Sequence, residues 1–462
     1  MKKRDVFISI IFACLITACS PFAAPVEPQE SEPDENPPEQ SAPVTPGPTA
    51  SSPVFCLDPP APSSTDLQVH QVPEMSEPPA RQEYIDPVFN TCMVRVTDSS
   101  TDLSSDDSSI GMKNEYSRVQ SFNADESRFL IRGIDGSWYV YDANSLLPLG
   151  QLSIGVDPRW DGRDPDKLYY SDGTALFSYH VTSGEALTLH DFADEFPGQA
   201  LAAVWMRYEG SPSMDTRYYG LMAENQDWLT IGFIIYDIKN DKVTAKLELP
   251  APYEIDAVTI SPSGKYFLAY FDNFCEEGQL GSESSPCGLM VYDQDLQNGR
   301  GLLRLCGHSD PAFDAQGNEV LVYQDIDHDT ISYVDLASGG ITNLFDIDFS
   351  HTAIGFHFSG LAFQHPGWVV ISTYGDDNTT YTWMDNAVFV LELKPNGRVA
   401  RLAHTHSLVD GNQEHDYWAE PHASTNRDLT RILFTTNWHK SGTGEVETFL
   451  IQLPPNWTDN LP

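Results

Sequence analysis

The sequence predicts an all-β protein, and three observations support this. Helical periodicity is absent from about residue 82 onward, where short β-rich runs recur, each introduced by turn residues. The runs return at intervals between 39 residues (Arg128 to Lys167) and 63 residues (Trp368 to Arg431). Hydrophobic residues make up 40% of the chain and aromatic residues 11%, which is enough for a large core.

Seven aligned runs are present, and each is predicted to be the second strand of a repeat. They begin at Arg128, Lys167, Arg217, Lys265, Glu319, Trp368 and Arg431. A third run follows each of them, often ending in Tyr-Asp or Val-Asp, as at Tyr141-Asp142 and Val334-Asp335. Such a period with about four strands per unit is typical of a β-propeller. We therefore predict a seven-bladed β-propeller over residues 82–462; two unrelated β-sandwiches would not explain the recurring turns.

An early strand is expected to close the ring. Residues 88–97 are β-rich and lie outside the seven repeats. An open ring would expose the unpaired edges of its end strands, so this segment is predicted to complete the last blade.

The N-terminus has the pattern of a secretory signal. Three basic residues precede an apolar run over 6–16, which is too short for a stable membrane span. The sequence Leu15-Ile-Thr-Ala-Cys19 resembles the bacterial lipobox. That resemblance implies a signal peptide over 1–18 and lipidation of Cys19, and Ser20 after it favours the outer membrane. The alternative is an ordinary signal peptide with an incidental cysteine.

Composition divides the rest of the N-terminal region. Residues 19–53 are rich in Pro, Glu and Ser and are expected to form a disordered tether, because they cannot bury a core. Residues 54–81 are expected to be an extended lead-in to the propeller.

Cys275 and Cys287 flank a Gly/Ser/Glu-rich stretch and are predicted to form a disulfide. Cys56 with Cys92 is a second candidate pair, although spacing alone does not fix connectivity.

The charge balance limits the partners. Asp and Glu number 67 against 26 Lys and Arg, giving a formal net charge of −41. Nucleic acid is excluded as a partner because no basic face is available for phosphates. The expected partners are the membrane, through the lipid anchor, and an acidic oligosaccharide or an envelope protein. The chain is expected to be a monomer.

Three residues share one position in consecutive repeats. His308, His357 and Glu420 each stand 11 residues before the second strand of blades five, six and seven. This places them on the first strands, which line the channel of a propeller. His422 follows two residues after Glu420, on the same side of a strand. We predict a divalent-metal site of His357, Glu420 and His422; the alternative is histidines hydrogen-bonded between blades.

Three arginines are candidates for binding an acidic sugar. Arg118, Arg159 and Arg207 fall on the predicted first strands of blades one, two and three. A guanidinium group can bind a carboxylate through two hydrogen bonds. The alternative is ion pairing between blades, for instance of Arg207 with Glu209 or Asp215. The sequence contains no Gly-x-Ser-x-Gly motif and no phosphate-binding loop.

The last third of the chain resembles oligogalacturonate lyase. The likeness runs over 305–313, 355–360 and 420–438, and single repeats resemble TolB and WD40-like units. The resemblance implies a seven-bladed propeller that cleaves unsaturated pectin oligomers by β-elimination with manganese, more than zinc or calcium. It also implies His308 as the base and His357 as a metal ligand.

The resemblance is incomplete at the implied metal site. The family's Gln-x-x-His-x-His falls on Tyr417, Glu420 and His422, so two of its three positions differ. Tyr417 adjoins the cluster and is expected to contact substrate. The sequence leaves open whether the chain is an enzyme. The first hypothesis is an envelope-tethered propeller that binds or cleaves acidic carbohydrate; the alternative is a non-catalytic TolB/WD40-like scaffold, which the departures at Tyr417 and Glu420 favour.

Overall fold

The computed structural model describes residues 55–104, 107–348, 354–377, 379–410 and 416–461. Within these residues, 29 strands form seven antiparallel sheets, six of four strands and one of five. The sheets are arranged as the blades of a propeller, which confirms the predicted all-β, seven-bladed fold. The predicted signal peptide, lipidation site at Cys19 and tether lie outside the described residues.

The strands in chain order are β1 Glu83–Ile85, β2 Cys92–Arg95, β3 Met112–Lys113, β4 Arg128–Gly133, β5 Trp138–Asp142, β6 Pro148–Leu152, β7 Val156–Trp160, β8 Lys167–Asp172, β9 Ala175–His180, β10 Glu185–Asp191, β11 Leu201–Trp205, β12 Tyr218–Asn225, β13 Thr230–Asp237, β14 Lys242–Tyr253, β15 Ile255–Ile260, β16 Tyr266–Phe271, β17 Leu289–Asp293, β18 Arg300–Leu303, β19 Ser309–Phe313, β20 Glu319–Asp325, β21 Thr330–Asp335, β22 Ile341–Asp346, β23 Ile354–Ser359, β24 Trp368–Gly375, β25 Ala387–Glu392, β26 Val399–His404, β27 Ser424–Thr425, β28 Arg431–Thr436 and β29 Glu447–Gln452. The short helix α1 covers Ser99–Asp102, and 3₁₀ turns cover Ile238–Asn240, Tyr417–Ala419 and Trp457–Asn460. Blades one to six take four consecutive strands each, from β3 to β26. Blade seven has the order β1-β2-β29-β28-β27.

The second strand of each blade begins within one residue of its predicted start. The turns before these strands are built by side chains that bond the backbone. Asn123 Oδ1 accepts a hydrogen bond from the amide of Arg128 at 3.0 Å, and Asn426 Oδ1 accepts one from Arg431 at 2.9 Å. Short polar side chains of this kind stabilise turns over continued strand.

The aspartates that end the third strands have a similar role. Asp142 Oδ1 accepts a hydrogen bond from the Ser145 amide at 2.7 Å, and Asp335 Oδ1 accepts one from Ser338 at 2.7 Å. Each carboxylate therefore shapes the hairpin that leads to the outermost strand of its blade.

Strand β2 closes the ring, as predicted, although it is shorter than the segment 88–97. It pairs antiparallel with β29, in the register Cys92 to Gln452, and β1 adds a fifth strand outside it. The disulfide Cys56–Cys92 ties the lead-in to this closing strand. The predicted disulfide Cys275–Cys287 is also present.

The lead-in lies along blades six and seven and forms no helix or strand over residues 55–79. Ser64 O accepts a hydrogen bond from the Arg401 amide at 2.9 Å, and Met75 O accepts one from Trp438 Nε1 at 3.1 Å. Arg401 belongs to β26, the outermost strand of blade six, so the lead-in covers part of a strand edge that would otherwise be exposed. Among the described residues, no helix has the length and apolar character to cross a bilayer.

The core lies between neighbouring blades. Phe233 of blade three packs its ring 4.8 Å from Phe267 and 5.8 Å from Tyr292 of blade four. All three rings are buried, and contacts of this kind hold adjacent sheets in fixed positions around the channel.

Candidate functional site

The innermost strands are irregular where the candidate residues lie. Of the seven residues predicted on first strands, His357 lies in β23 and Arg159 in β7, and the other five lie outside strands. His308 directly precedes β19. Arg118 follows β3 and Arg207 follows β11, while Glu420 and His422 lie between a 3₁₀ turn and β27. The strand placement was therefore wrong for those five. Backbone with positive φ, at Asp157, Arg207, Tyr208 and His422, interrupts the ladders in this region.

His357, Glu420 and His422 form a compact cluster, as the sequence predicted. One ligand atom from each lies within 4.8 Å of the others. Glu420 Oε2 is 3.2 Å from His357 Nε2 and 3.5 Å from His422 Nε2. The two imidazole rings lie 4.2 Å apart, centroid to centroid.

The cluster fits a metal ion. Neither Nε2 atom makes a hydrogen bond within the described residues, although both are buried. Glu420 Oε2 lies close to both atoms but forms a hydrogen bond with neither. Buried polar atoms are almost always paired, and a bound cation would satisfy these two. Two imidazole nitrogens and a carboxylate oxygen are a common donor set for divalent metals. These three residues can therefore hold a metal.

The protonation states suit ligation. Burial, reinforced by the nearby Lys113 cation, keeps the pKa values of His357 and His422 well below the usual histidine range. Burial raises the pKa of Glu420, while the nearby His308 opposes that rise. Neutral imidazole is the form that binds a metal, so the histidines need lose no proton on binding.

Blade one holds His422 in place from across the ring closure. Asn114 Nδ2 donates to His422 O at 2.6 Å, and Thr435 Oγ1 donates to Asn114 Oδ1 at 2.8 Å. Lys113 Nζ lies 3.3 Å from His422 Nδ1. His422 has a φ of 45°, which is unfavourable for a residue with a Cβ. These contacts stabilise a backbone conformation that aims its ring at Glu420.

His308 adjoins the cluster. Its ring lies 4.3 Å from that of His357, at an interplanar angle of 33°. Burial and the neighbouring His357 lower the pKa of His308 to about 3. The imidazole is therefore neutral at pH 7. Tyr417 lies 6.0 Å from the His422 ring, centroid to centroid, in the 3₁₀ turn beside Glu420.

Two of the three predicted arginines are in ion pairs between blades. Arg118 Nη2 donates to Glu209 Oε2 at 2.6 Å, and Arg159 Nη1 donates to Glu115 Oε2 at 2.6 Å. Both guanidinium groups are buried. This is the alternative that the sequence left open, and their contact with a sugar stays a prediction.

Arg207 has neither partner suggested for it. It donates instead to the carbonyl oxygen of Ile255 in blade four. Glu209 is bound to Arg118, and Asp215 pairs with Arg163 at 3.0 Å.

Sequence reasoning missed the residues that support the cluster. Lys113 and Asn114 belong to blade one, about 300 residues before His422 along the chain, and Arg132 lies opposite Lys113 in the same blade. A lysine and an arginine in the strand runs of so acidic a protein were a usable signal. Their cross-strand pairing in β3 and β4 was not readable from the sequence.

Comparison with protein-family models finds no match, and neither does comparison with curated proteins. Among solved structures, an oligogalacturonate lyase in complex with manganese is similar, with a TM-score of 0.56 and 17% identity over 85% of this chain and 100% of that chain. An oligogalacturonate lyase from Vibrio parahaemolyticus gives a TM-score of 0.54 and 14% identity, over 81% of this chain and 96% of that chain. At these identities the likeness is one of fold. The chain thus has the seven-bladed propeller fold seen in oligogalacturonate lyases, which confirms the resemblance predicted from the sequence.

Proposed function

We propose that the protein is a metal-dependent lyase that cleaves acidic oligosaccharides by β-elimination. The observation that carries the proposal is the cluster of His357, Glu420 and His422, whose two Nε2 atoms are buried without hydrogen bonds beside the neutral His308. The similarity in fold to an oligogalacturonate lyase solved with manganese supports manganese as the metal.

The reaction requires removal of a proton from the carbon next to a uronate carboxylate. A divalent cation in the cluster would neutralise that carboxylate and stabilise the negative charge that develops during proton removal. His308 takes the proton on a ring nitrogen. The electron pair left on carbon forms a double bond and expels the glycosidic oxygen, which is then protonated. The products are an unsaturated uronate and a shortened sugar chain.

The departures from the family pattern change the ligand set, but three residues that can bind a metal remain together. Glu420 stands where the resemblance implies a histidine, and it supplies a carboxylate oxygen to the cluster. Carboxylate ligands suit manganese, magnesium and calcium, whereas imidazole and thiolate favour zinc and copper. Two imidazoles and one carboxylate can hold manganese or zinc, so the choice of manganese rests on the similarity in fold.

The same proposal includes an envelope location. The lipobox-like sequence at Cys19 and the Pro/Glu-rich segment 19–53 support attachment to the bacterial outer membrane through a lipid. The folded propeller would then act as a monomer held away from the bilayer.

Metal analysis of the full chain tests the proposal. We expect close to one manganese ion per chain, lost in the double variant His357→Ala/His422→Ala and retained in His328→Ala, a control whose side chain is 72% exposed. The metal-loaded protein should convert uronate oligomers to products with the ultraviolet absorbance of a conjugated acid. Absence of metal from the wild-type protein would contradict the proposal.

One observation favours the non-catalytic scaffold as the second candidate. The buried ion pairs Arg118–Glu209 and Arg159–Glu115 join blades one, two and three. Such pairs would be expected if these side chains only stabilise the propeller and bind no ligand. Metal binding without product from any uronate oligomer would favour this candidate.

A further inference from the structure

Aromatic rings and one arginine form a row beside the cluster of His357, Glu420 and His422. The rings of Trp228 and Trp205 lie 6.3 Å apart, and those of Trp205 and Tyr208 lie 5.3 Å apart. Arg132 Cζ lies 4.9 Å from the Tyr208 ring centroid and 5.5 Å from that of Trp418. We call these five residues the aromatic row. Trp228 is 48% exposed, and the other four are half-buried.

The guanidinium of Arg132 has no acidic partner. Among the described residues, no carboxylate lies within 4.0 Å of its nitrogens, and its buried Nε makes no hydrogen bond. Glu115 is close enough to interact electrostatically with it, but Glu115 is paired with Arg159. In a chain with 67 acidic residues against 26 basic ones, an arginine whose side-chain contacts in the described part of the chain are with aromatic rings is unusual.

A lysine stands opposite Arg132. Lys113 and Arg132 are directly paired across β3 and β4, so their side chains project from the same face of the sheet. Like charges in directly opposite positions destabilise a sheet. An anionic ligand beside Arg132 would offset the unfavourable charge interaction between the two side chains.

The aromatic row is connected to the cluster of His357, Glu420 and His422 through Lys113. Lys113 Nζ lies 5.2 Å from the Trp418 ring centroid and 3.3 Å from His422 Nδ1. The Trp418 ring therefore contacts both Arg132 and Lys113, the lysine that lies beside His422. The row continues away from the cluster to Trp228, in the hairpin between β12 and β13.

We propose that the aromatic row binds a uronate unit of an acidic oligosaccharide, with Arg132 pairing to its carboxylate and the rings covering the apolar faces of the sugars. The inference rests on the proposed function, because it places this unit on the same chain whose neighbouring unit reaches His308. A planar guanidinium with five donors matches a carboxylate through two hydrogen bonds. Trp and Tyr rings offer broad apolar surfaces with polar edges, which suit the mixed surface of a sugar.

Binding measurements on the full chain test this separately from catalysis. The probes are trigalacturonate and its fully methyl-esterified form, titrated calorimetrically with and without a metal chelator. Arg132→Gln should weaken trigalacturonate binding by about tenfold to a hundredfold, as expected for loss of a charge-assisted pair. It should leave binding of the ester unchanged. Arg128→Gln is the matched control, because Arg128 lies on the same strand but pairs with Asp166.

Two further variants keep the test decisive. Arg132→Lys keeps the charge without the planar fork and should recover part of the affinity. Trp228→Ala, which removes an exposed side chain and should fold, should weaken binding of both probes. Equal trigalacturonate affinity in wild type and Arg132→Gln, or no binding by wild type, would overturn the inference. If binding depends on Arg132 but no product forms with manganese, the proposed function fails and the subsite remains.

Discussion

At the scale of single residues, the candidate site depends on support that comes from the far end of the chain. Asn114 of blade one makes two hydrogen bonds that fix the His422 segment of blade seven. The sequence predicted His357 and Glu420 because a repeat places equivalent residues at equal distances from a strand, and His422 because it follows Glu420 by two residues. It could not predict Asn114, because partners in different blades follow no fixed spacing.

Asn114→Ala is expected to weaken metal binding by about tenfold to a hundredfold, the usual cost of losing an outer hydrogen bond to a metal ligand. The physical reason is that His422 loses the contact that stabilises its unfavourable φ. A competition titration against a fluorescent chelator measures the affinity. Asn343→Ala, at an exposed strand position in blade five, should bind metal as the wild type does. Unchanged affinity in Asn114→Ala would show that the His422 segment is held by other contacts.

At the scale of elements, second and third strands were predictable and innermost strands were not. Second strands follow turns whose polar residues can be recognised in sequence, as at Asn123 and Asn426. Residues of positive φ that are not glycine interrupt or follow the innermost strands: Asp157 lies within β7, and Arg207 and Tyr208 follow β11. Arg118, Arg207 and Glu420 lie outside the predicted strands. Two predicted sugar ligands, Arg118 and Arg159, pair with carboxylates of other blades.

The hairpin between β25 and β26 should lose stability in acid. Burial alone would raise the pKa of Glu392, but Arg398 and Lys394 bond its carboxylate and hold the pKa at about 2. In the unfolded chain the pKa is about 4.3, so the pair stabilises the folded state above that pH. This contribution is lost as pH falls from about 4.3 to about 2.

Glu392→Gln is therefore expected to lower the free energy of unfolding at pH 7 and to have little effect near pH 2. Urea titrations of both proteins across this range measure the difference. Glu445→Gln, whose carboxylate is 56% exposed, provides the comparison for a surface pair. A Glu392→Gln effect that is constant over the whole range would exclude the proposed ion-pair contribution.

At the scale of the whole molecule, the formal charge of −41 opposes the compact state. Salt screens charges over about 10 Å at 0.1 M, a distance shorter than the propeller's width. We expect the melting temperature at pH 7 to rise with sodium chloride between about 0.02 M and about 0.5 M, because self-repulsion is screened. Differential scanning calorimetry with chelator present measures this. The rise should shrink toward pH 5, where carboxylates begin to take up protons; a falling melting temperature would mean that screening of ion pairs dominates.

The disulfide between Cys56 and Cys92 determines which part of the propeller bears a force that is applied to the N-terminal segment. Any pull on the chain before residue 55 reaches Cys92 through this bond, without first peeling the lead-in from blades six and seven. Cys92 belongs to β2, which is hydrogen-bonded to β29. Force applied from the N-terminal side is thus delivered to the joint between the first and last parts of the chain. Reducing this one bond would redirect the force to the hydrogen bonds of Ser64 and Met75, so the lead-in would detach before the ring is strained.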